Sequence, residues 1–353
     1  MFKPHPTRRA GMTLVELLVV VAIIGLLAVT VLPNVASTTE NRRSREAARV
    51  TSSFFAKAQS RAIGRPEWAG VTILPPPTNA TALFAIDLFQ ANVPQVYRGE
   101  SYAATATISS SDTGFARGLT FSPDVTIPAV RNVQSGDLIR FDGRGPWYEL
   151  SETAAGTKVQ FRGTTGIQSA TEMVSQTERN TPWPTTGTPH PFEILRQPVR
   201  NGSAFTIPDG RCVDLAWSGH GSSTFTPFLN LVPSVSVPAV TLLFDATGRV
   251  RQLFTQSPGA TPNRVTVTGP VYFLVGRVDR ANNDPTLPST YDGTDDTKGF
   301  NWQYGDSYWI VIDPASGIVK TSECMPVPSY ANATAGLLLS QAFARSHTPV
   351  GGN

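Results

Sequence analysis

The sequence predicts an α+β fold in which one long N-terminal helix packs on a large antiparallel β-rich domain. Residues 12–32 form an apolar run that is long enough for several helical turns. Residues 47–62 continue with apolar residues at three- and four-residue spacing, as expected of an amphipathic helix. After residue 66 the chain changes to short alternating segments separated by turn residues, and its 29 Gly and 29 Pro agree with many turns.

Composition indicates a folded protein whose basic charge is concentrated at one end. With 353 residues, of which 40% are hydrophobic, the chain can bury the core of one large or two smaller domains. Residues 1–65 carry ten Lys or Arg against three Glu, whereas the remainder carries 19 against 23 acids. No zinc-finger spacing or helix-turn-helix signal accompanies the basic segment, so no direct nucleic-acid partner is expected.

The apolar run is long enough to cross a bilayer. It has 21 positions and one charge, and about 20 apolar residues span the hydrocarbon core. Lys3, Arg8 and Arg9 precede it, so the positive-inside rule holds the N-terminus in the cytoplasm and sends the C-terminal bulk outward. A secretory signal would be cleaved after the run, but residues 34–36 fit such a cleavage site poorly.

A processing motif lies before this run instead. The basic leader ends at Gly11, the run opens with Met12, and an acid, Glu16, follows five residues after the glycine. This arrangement resembles the prepilin processing signal of type IV pilins and type II secretion pseudopilins. The resemblance implies that a prepilin peptidase cuts after Gly11, that Met12 becomes the N-methylated terminus and that Glu16 serves assembly. An acid at this depth could also reach the lipid headgroups without any role in assembly.

The resemblance also implies a domain organisation and a location. Residues 1–11 are the expected cleaved leader, and residues 12–63 are the expected N-terminal helix, transmembrane over 12–32. Residues 64–353 are the expected extracytoplasmic β-rich domain, with an insertion around 75–191 because the chain is longer than most family members. Such a protein crosses the bacterial inner membrane once, exposes its C-terminal domain to the periplasm or the exterior, and assembles with other pilin or pseudopilin subunits.

The second half of the helix is predicted to pack on the globular domain through one apolar stripe. The stripe consists of Ala47, Val50, Phe54, Ala58 and Ala62. Basic residues occupy much of the remaining surface, as is typical of a solvated helix face. Gly64 and Pro66 then supply a stop signal, so the helix should end near residue 63.

Alternation and turn chemistry predict strands in the distal domain. The predicted strands are 119–121, 137–141, 158–161, 192–195, 240–244, 271–275 and 308–312. Residues 241–254 and 308–320 each indicate a hairpin, with an aspartate that can bond its own turn and a glycine for the left-handed position. These hairpins resemble those of H-type minor pseudopilins and related minor pilins.

An acidic stretch before the last hairpin is the one candidate metal site. Its members are Asp279, Asp284, Asp292, Asp295 and Asp296. Oxygen-rich loops of this kind can hold calcium, although the spacing is not that of an EF-hand, and a solvated loop is the alternative. No other cofactor is expected.

The two cysteines, Cys212 and Cys324, lack the CxxC spacing of a zinc or redox site. Because both lie on the predicted extracytoplasmic side, they are predicted to form a disulfide.

No pattern of catalytic residues emerges. His220 and Ser222 are close in sequence, but residues 219–223 do not form a nucleophile elbow and are interpreted as a glycine-rich turn. Together with the resemblance to prepilins, this implies a non-enzymatic minor pseudopilin that assembles into a type II secretion pseudopilus. The alternatives are a minor subunit of a type IV or DNA-uptake pilus and, in another class, a signal-anchored extracytoplasmic enzyme or binding protein.

Overall fold

A computed structural model describes residues 14–65, 67–76, 82–109, 116–122, 136–153, 156–161, 184–208, 210–222, 224–228, 237–256, 263–265, 267, 269–283, 295, 297–327 and 333–346. These residues form an α+β protein with antiparallel sheets, which confirms the predicted fold class. The helices among them are α1 (Leu14–Ala62), α2 (Val278–Ala281) and α3 (Ala333–Ser346), with a 3-10 turn at Asn301–Gln303.

The long helix α1 follows the prediction closely, with 49 residues against the expected range 12–63. Residues 12 and 13 lie outside the described residues. Gly64 follows the helix with a φ of 74°, a left-handed conformation that glycine adopts readily. Its N–H donates to the carbonyl oxygen of Ala246 at 3.1 Å, so the helix end is tied to the β domain.

The first sheet has six strands in the order β11-β3-β1-β14-β15-β16. Their bounds are β1 Ala69–Leu74, β3 Asp87–Asn92, β11 Val199–Thr206, β14 Ala239–Phe244, β15 Val250–Gln256 and β16 Asn263–Val265. The first five residues of β1 are buried, so the sheet is covered on both faces at its centre.

The second sheet has the order β13-β12-β17-β18-β19, with β2 also pairing with β12. Its strands are β2 Phe84–Ala85, β12 Arg211–His220, β13 Thr226–Pro227, β17 Val271–Arg277, β18 Tyr308–Ile312 and β19 Val319–Glu323. All ten residues of β12 are buried, and α3 packs nearby, where the indole N–H of Trp309 donates to Ser340 Oγ at 2.9 Å. Neither β12 nor α3 was among the predicted elements.

The main core lies where α1 meets these two sheets. Phe55 of α1 stacks on Phe273 of β17 with ring centroids 4.9 Å apart. Three positions of the predicted stripe are buried, namely Ala47, Ala58 and Ala62. The other two positions, Val50 and Phe54, are half-buried, and Phe54 packs against the main core and stacks on Phe205. The fully buried Phe55 next to it was not in the predicted stripe. Residues three or four positions apart lie on the same helix face, so the spacing of apolar residues fits Phe54 and Phe55 equally well.

Residues 105–195 contain a third sheet, in the order β10-β6-β7-β8-β5-β4-β9. Its strands are β4 Thr105–Ile108, β5 Ala116–Ser122, β6 Leu138–Phe141, β7 Tyr148–Thr153, β8 Gly156–Phe161, β9 Pro189–His190 and β10 Phe192–Leu195. Only Pro191 separates β9 from β10, so the two ends of the sheet are one continuous segment and the sheet closes into a small barrel. The barrel has a core of its own and falls largely within the predicted insertion, whose status as an insertion remains a prediction.

The predicted strands and both hairpins are confirmed. Each of the seven predicted segments coincides with an observed strand, apart from Asp137, which lies one residue before β6. In the β14–β15 turn, Asp245 Oδ1 accepts the N–H of Thr247 at 2.8 Å, and in the β18–β19 turn, Asp313 Oδ1 accepts that of Ala315 at 3.1 Å. The carboxylates close both turns, as their sequences predict.

The two hairpin turns lie against each other and against the end of α1. Gly248 and Gly317 have φ values of 81° and 71°. A Cβ on Gly317 would lie 1.8 Å from the Gly248 carbonyl oxygen, so only glycine fits there. The Gln59 side-chain amide of α1 donates to the same carbonyl oxygen at 2.9 Å.

Candidate functional site

The first part of α1 is an exposed apolar surface. All thirteen residues 14–26 are exposed, and twelve of them are uncharged. Leu14 and Leu26, at the two ends, are 78% and 72% exposed. A contiguous apolar surface of this kind marks an interaction site on an otherwise soluble fold. Residues 14–26 are called the exposed apolar segment below.

Glu16 is the only charged residue of the exposed apolar segment. It lies in the first turn of α1 that the structure describes. Its side chain is exposed, so a cationic partner can reach it from outside the chain. The predicted processing residues Gly11 and Met12 lie outside the described residues.

The predicted membrane span covers residues 12–32. Within the part of the chain that the structure describes, no helix has an apolar stretch of the length and hydropathy needed to cross a membrane.

The exposed apolar segment lies within a stretch that matches a known family model. Residues 6–32 match the family model of the prokaryotic N-terminal methylation motif. The chain carries the type IV pilin and pseudopilin signature. This signature confirms the resemblance predicted from Gly11, Met12 and Glu16 and supports a pilin-like subunit that is processed at its N-terminus. No curated protein and no solved structure matched the chain.

The second half of α1 is fixed to the β domain by a buried arginine that the prediction missed. Arg211 of β12 donates to Ser44 Oγ at 2.8 Å and to the Glu40 carbonyl oxygen at 3.1 Å. It also pairs with the Glu40 carboxylate, and this hydrogen bond lowers the pKa of Glu40. The chain therefore holds residues 40–62 on its globular domain and leaves the exposed apolar segment available.

The predicted disulfide between Cys212 and Cys324 is not formed. Both residues are buried free thiols. Cys212 lies in a small cluster with Phe84, whereas Cys324 lies in the cluster that contains Trp302 and Trp309. A predicted location on the same side of a membrane does not by itself bring two side chains into one cluster, and the structure places these two apart. Burial raises the pKa of both thiols and keeps them protonated.

Thiol titration checks this arrangement. The unreduced protein should expose two thiols after denaturation, and both should react slowly while the chain is folded because they are buried. If the denatured, unreduced protein contains no reactive thiol, the disulfide between Cys212 and Cys324 is formed after all.

Two of the five predicted calcium ligands lie within the described residues, and each is engaged by neighbouring groups. Asp279 pairs with Arg277 and accepts the Arg280 N–H at 3.0 Å. Asp295 accepts the Thr297 N–H at 3.0 Å. The others lie outside the described residues: Asp284, Asp292 and Asp296. In the described part of the chain, no group of three or more His, Cys, Asp or Glu side chains is placed to hold a metal.

Calcium binding therefore remains a prediction, and it is tested by melting the protein in chelator and after adding calcium back. An increase in melting temperature with calcium, lost when Asp292 and Asp296 are changed to asparagine, is the expected result. An unchanged melting temperature would mean that the loop is only solvated.

His220 is the last residue of β12 and not part of a glycine-rich turn. Its ring is buried near Phe228, and neither ring nitrogen has a hydrogen-bond partner among the described residues. Burial lowers the pKa of His220, so the ring is neutral near pH 7. Nothing in this geometry orients the ring as a general base.

Proposed function

We propose that this chain is a structural, non-enzymatic minor subunit that assembles into a type II secretion pseudopilus. A prepilin peptidase cuts the precursor after Gly11, and Met12 becomes the methylated terminus. The mature subunit remains in the bacterial inner membrane by its N-terminal helix, as a single-pass protein with its C-terminal domain in the periplasm, until it joins other pilin or pseudopilin subunits.

The exposed apolar segment carries this proposal. Its residues are all exposed, whereas residues 47–62 of the same helix pack in the main core. Burying a Leu, Ile or Val side chain contributes about 1.5–3 kcal/mol, so the ten such residues of the segment favour a lipid or protein environment strongly. The bilayer supplies that environment before assembly, and the helices of neighbouring subunits supply it afterwards.

The first test is the N-terminus of the mature protein. N-terminal sequencing or mass spectrometry of the chain from cells with an active prepilin peptidase should give N-methylated Met12. The Gly11→Ala variant should accumulate uncut, because the glycine stands at the proposed cleavage site. Retention of Met1 in the native protein, or a cut near residue 36, would support the alternative of a signal-anchored enzyme or binding protein.

Copurification tests whether the chain joins a secretion pseudopilus or a surface pilus. The proposed pseudopilus role requires that crosslinking in the membrane recover this chain with secretion pseudopilins. Recovery only with the subunits of a surface pilus would replace the secretion role by that of a minor pilin.

A further inference from the structure

One end of the β barrel is formed by residues that lie far in sequence from the exposed apolar segment. Phe141 at the end of β6 pairs with Phe192 of β10, and Ala106 near the start of β4 pairs with His190 of β9. The loop before β4, the β6–β7 turn and the break at Pro191 therefore lie at the same end of the barrel. These three parts, residues 98–104, 142–147 and 191–193, are called the barrel mouth.

The barrel mouth contains two neighbouring hollows. The larger has a volume of about 510 Å³ and is lined by Arg98, Glu100, Tyr102, Phe192 and Glu193, among others. The smaller, of about 280 Å³, lies on the other side of the β6–β7 turn. The larger volume is in the range of small-molecule sites, which occur at the mouths of β barrels. Ile139 and Ile194 are fully buried, so the barrel interior is filled and a ligand would bind at the mouth.

A fixed polar group lines the larger hollow. The Glu193 carboxylate accepts a hydrogen bond from Arg98 Nε at 3.0 Å and one from Arg140 Nε at 2.7 Å. Burial alone would raise the pKa of Glu193, but the two guanidinium groups outweigh it and lower the pKa. Arg140 also lies over the Trp147 ring at 4.7 Å, which restricts its rotation. The hollow thus presents planar donors and acceptors in a set geometry.

The β6–β7 turn is held in place as well. Asp142 has a φ of 55°, which is uncommon for a residue other than glycine. Its carboxylate lies 3.0 Å from His190 Nδ1, and His190 Nε2 lies 3.0 Å from the Thr185 carbonyl oxygen. The β6–β7 turn separates the two hollows, and these contacts with His190 hold it in place.

Aromatic rings supply the apolar part of the larger hollow. Phe192 is buried beneath it, whereas the Tyr102 side chain projects fully into solvent, with a relative exposure of 113%. An aromatic ring that is not packed on its own chain is available for stacking with a ligand.

Charge balance selects the class of ligand. The hollow is lined by Arg98, Glu100 and Glu193, and Arg140 lies outside this lining but pairs with Glu193. With Arg140 included the charges balance, so the hollow favours neither an anion nor a cation. Its paired planar groups can both donate and accept hydrogen bonds, and Tyr102 offers a stacking face. Vicinal sugar hydroxyls need donors and acceptors together, and the C–H face of a pyranose ring packs on aromatic rings. We propose that the barrel mouth is a binding site for a neutral oligosaccharide.

The test uses the full mature chain, purified in lauryldimethylamine oxide so that no sugar detergent competes. A glycan array with neutral, sialylated and sulfated members is followed by calorimetric titration of the neutral glycan that binds best. Tyr102→Ala should weaken that binding about tenfold. Since Tyr102 is fully exposed, this variant should melt at the wild-type temperature. Arg98→Ala should also weaken binding, and Arg249→Ala, an exposed arginine in the β14–β15 turn, should not.

Three outcomes would overturn the proposal. They are the absence of binding to every neutral glycan, binding restricted to charged glycans, and wild-type affinity in Tyr102→Ala. Displacement of the bound glycan by unrelated extended peptides would likewise identify a peptide site. The proposal does not rest on the role of the exposed apolar segment, so Glu16→Ala should bind the glycan normally.

Discussion

Replacing Glu16 by alanine is expected to leave membrane insertion and N-terminal cleavage intact but to reduce recovery of the chain with filaments or partner subunits about tenfold or more. Alanine keeps the helix apolar, so the precursor retains everything needed for insertion. What the variant loses is the one charge of the exposed apolar segment.

The physical reason is the low dielectric between packed apolar helices. The proposed cleavage after Gly11 would create an ammonium on Met12, and methylation would keep its charge. If that amine meets the Glu16 carboxylate of a neighbouring subunit, leaving either group buried and unpaired costs about 3–5 kcal/mol. The pair would thereby select one stagger between neighbouring helices.

Matched variants separate this role from general effects of charge. Glu16→Gln should fail like Glu16→Ala if the charge and not a hydrogen bond is required. Glu46→Ala also removes an acid from α1, but Glu46 pairs with Arg49 on an exposed helix face, so assembly should continue. Wild-type assembly of both Glu16 variants, in cells without the native copy, would show that Glu16 has no such role.

Asp214→Asn is expected to stabilise the folded chain near neutral pH. Asp214 lies on β12, is completely buried, and has one carboxylate oxygen, Oδ1, without a hydrogen-bond partner among the described residues. Its other oxygen accepts the Asn301 side-chain N–H at 2.9 Å. Burial raises the pKa of Asp214 to about 7, although the hydrogen bond from Asn301 and the backbone N–H groups of Trp217 and Ala216 oppose the shift.

The direction of the pH dependence follows from this raised pKa. Below pH 4 the carboxyl is protonated in both the folded and the unfolded chain, so folding carries no ionisation cost. Between pH 4 and pH 7 the unfolded chain ionises and the folded chain does not, and stability falls as the pH rises. Above pH 7 the folded chain carries a constant free-energy cost for ionising the buried Asp214, and this cost is at most roughly 4 kcal/mol.

Urea unfolding of wild type and Asp214→Asn between pH 4 and pH 8 measures the effect. The variant's advantage in unfolding free energy should increase from pH 4 to pH 7 and then level off. Asp245→Asn is the matched control with the opposite sign. Hydrogen bonds from Thr247 lower the pKa of Asp245 despite its partial burial, so Asp245 stays ionised throughout this range and the variant should lose stability by a similar amount from pH 4 to pH 8. A pH-independent difference for Asp214→Asn would contradict the account.

Much of the fold was predictable because its signals are local. The helix Leu14–Ala62 and the two hairpin turns depend on apolar spacing and turn chemistry within a few neighbouring residues. The strand β12 escaped prediction because its sequence RCVDLAWSGH places Asp, Ser and His in the interior. The helix α3 could have been found, since Leu337, Ser340, Gln341 and Ala344 are buried at helical spacing.

The sequence by itself determined the N-terminal processing segment, because Gly11, Met12, Glu16 and the apolar run lie within one continuous stretch. Only the tertiary structure decided which contacts hold the helix and where the barrel closes. Arg211 reaches Glu40 across 171 residues, and Cys212 and Cys324 enter different clusters despite their similar setting in the sequence. Such contacts depend on how distant surfaces pack, and neither periodicity nor spacing along the chain encodes that packing.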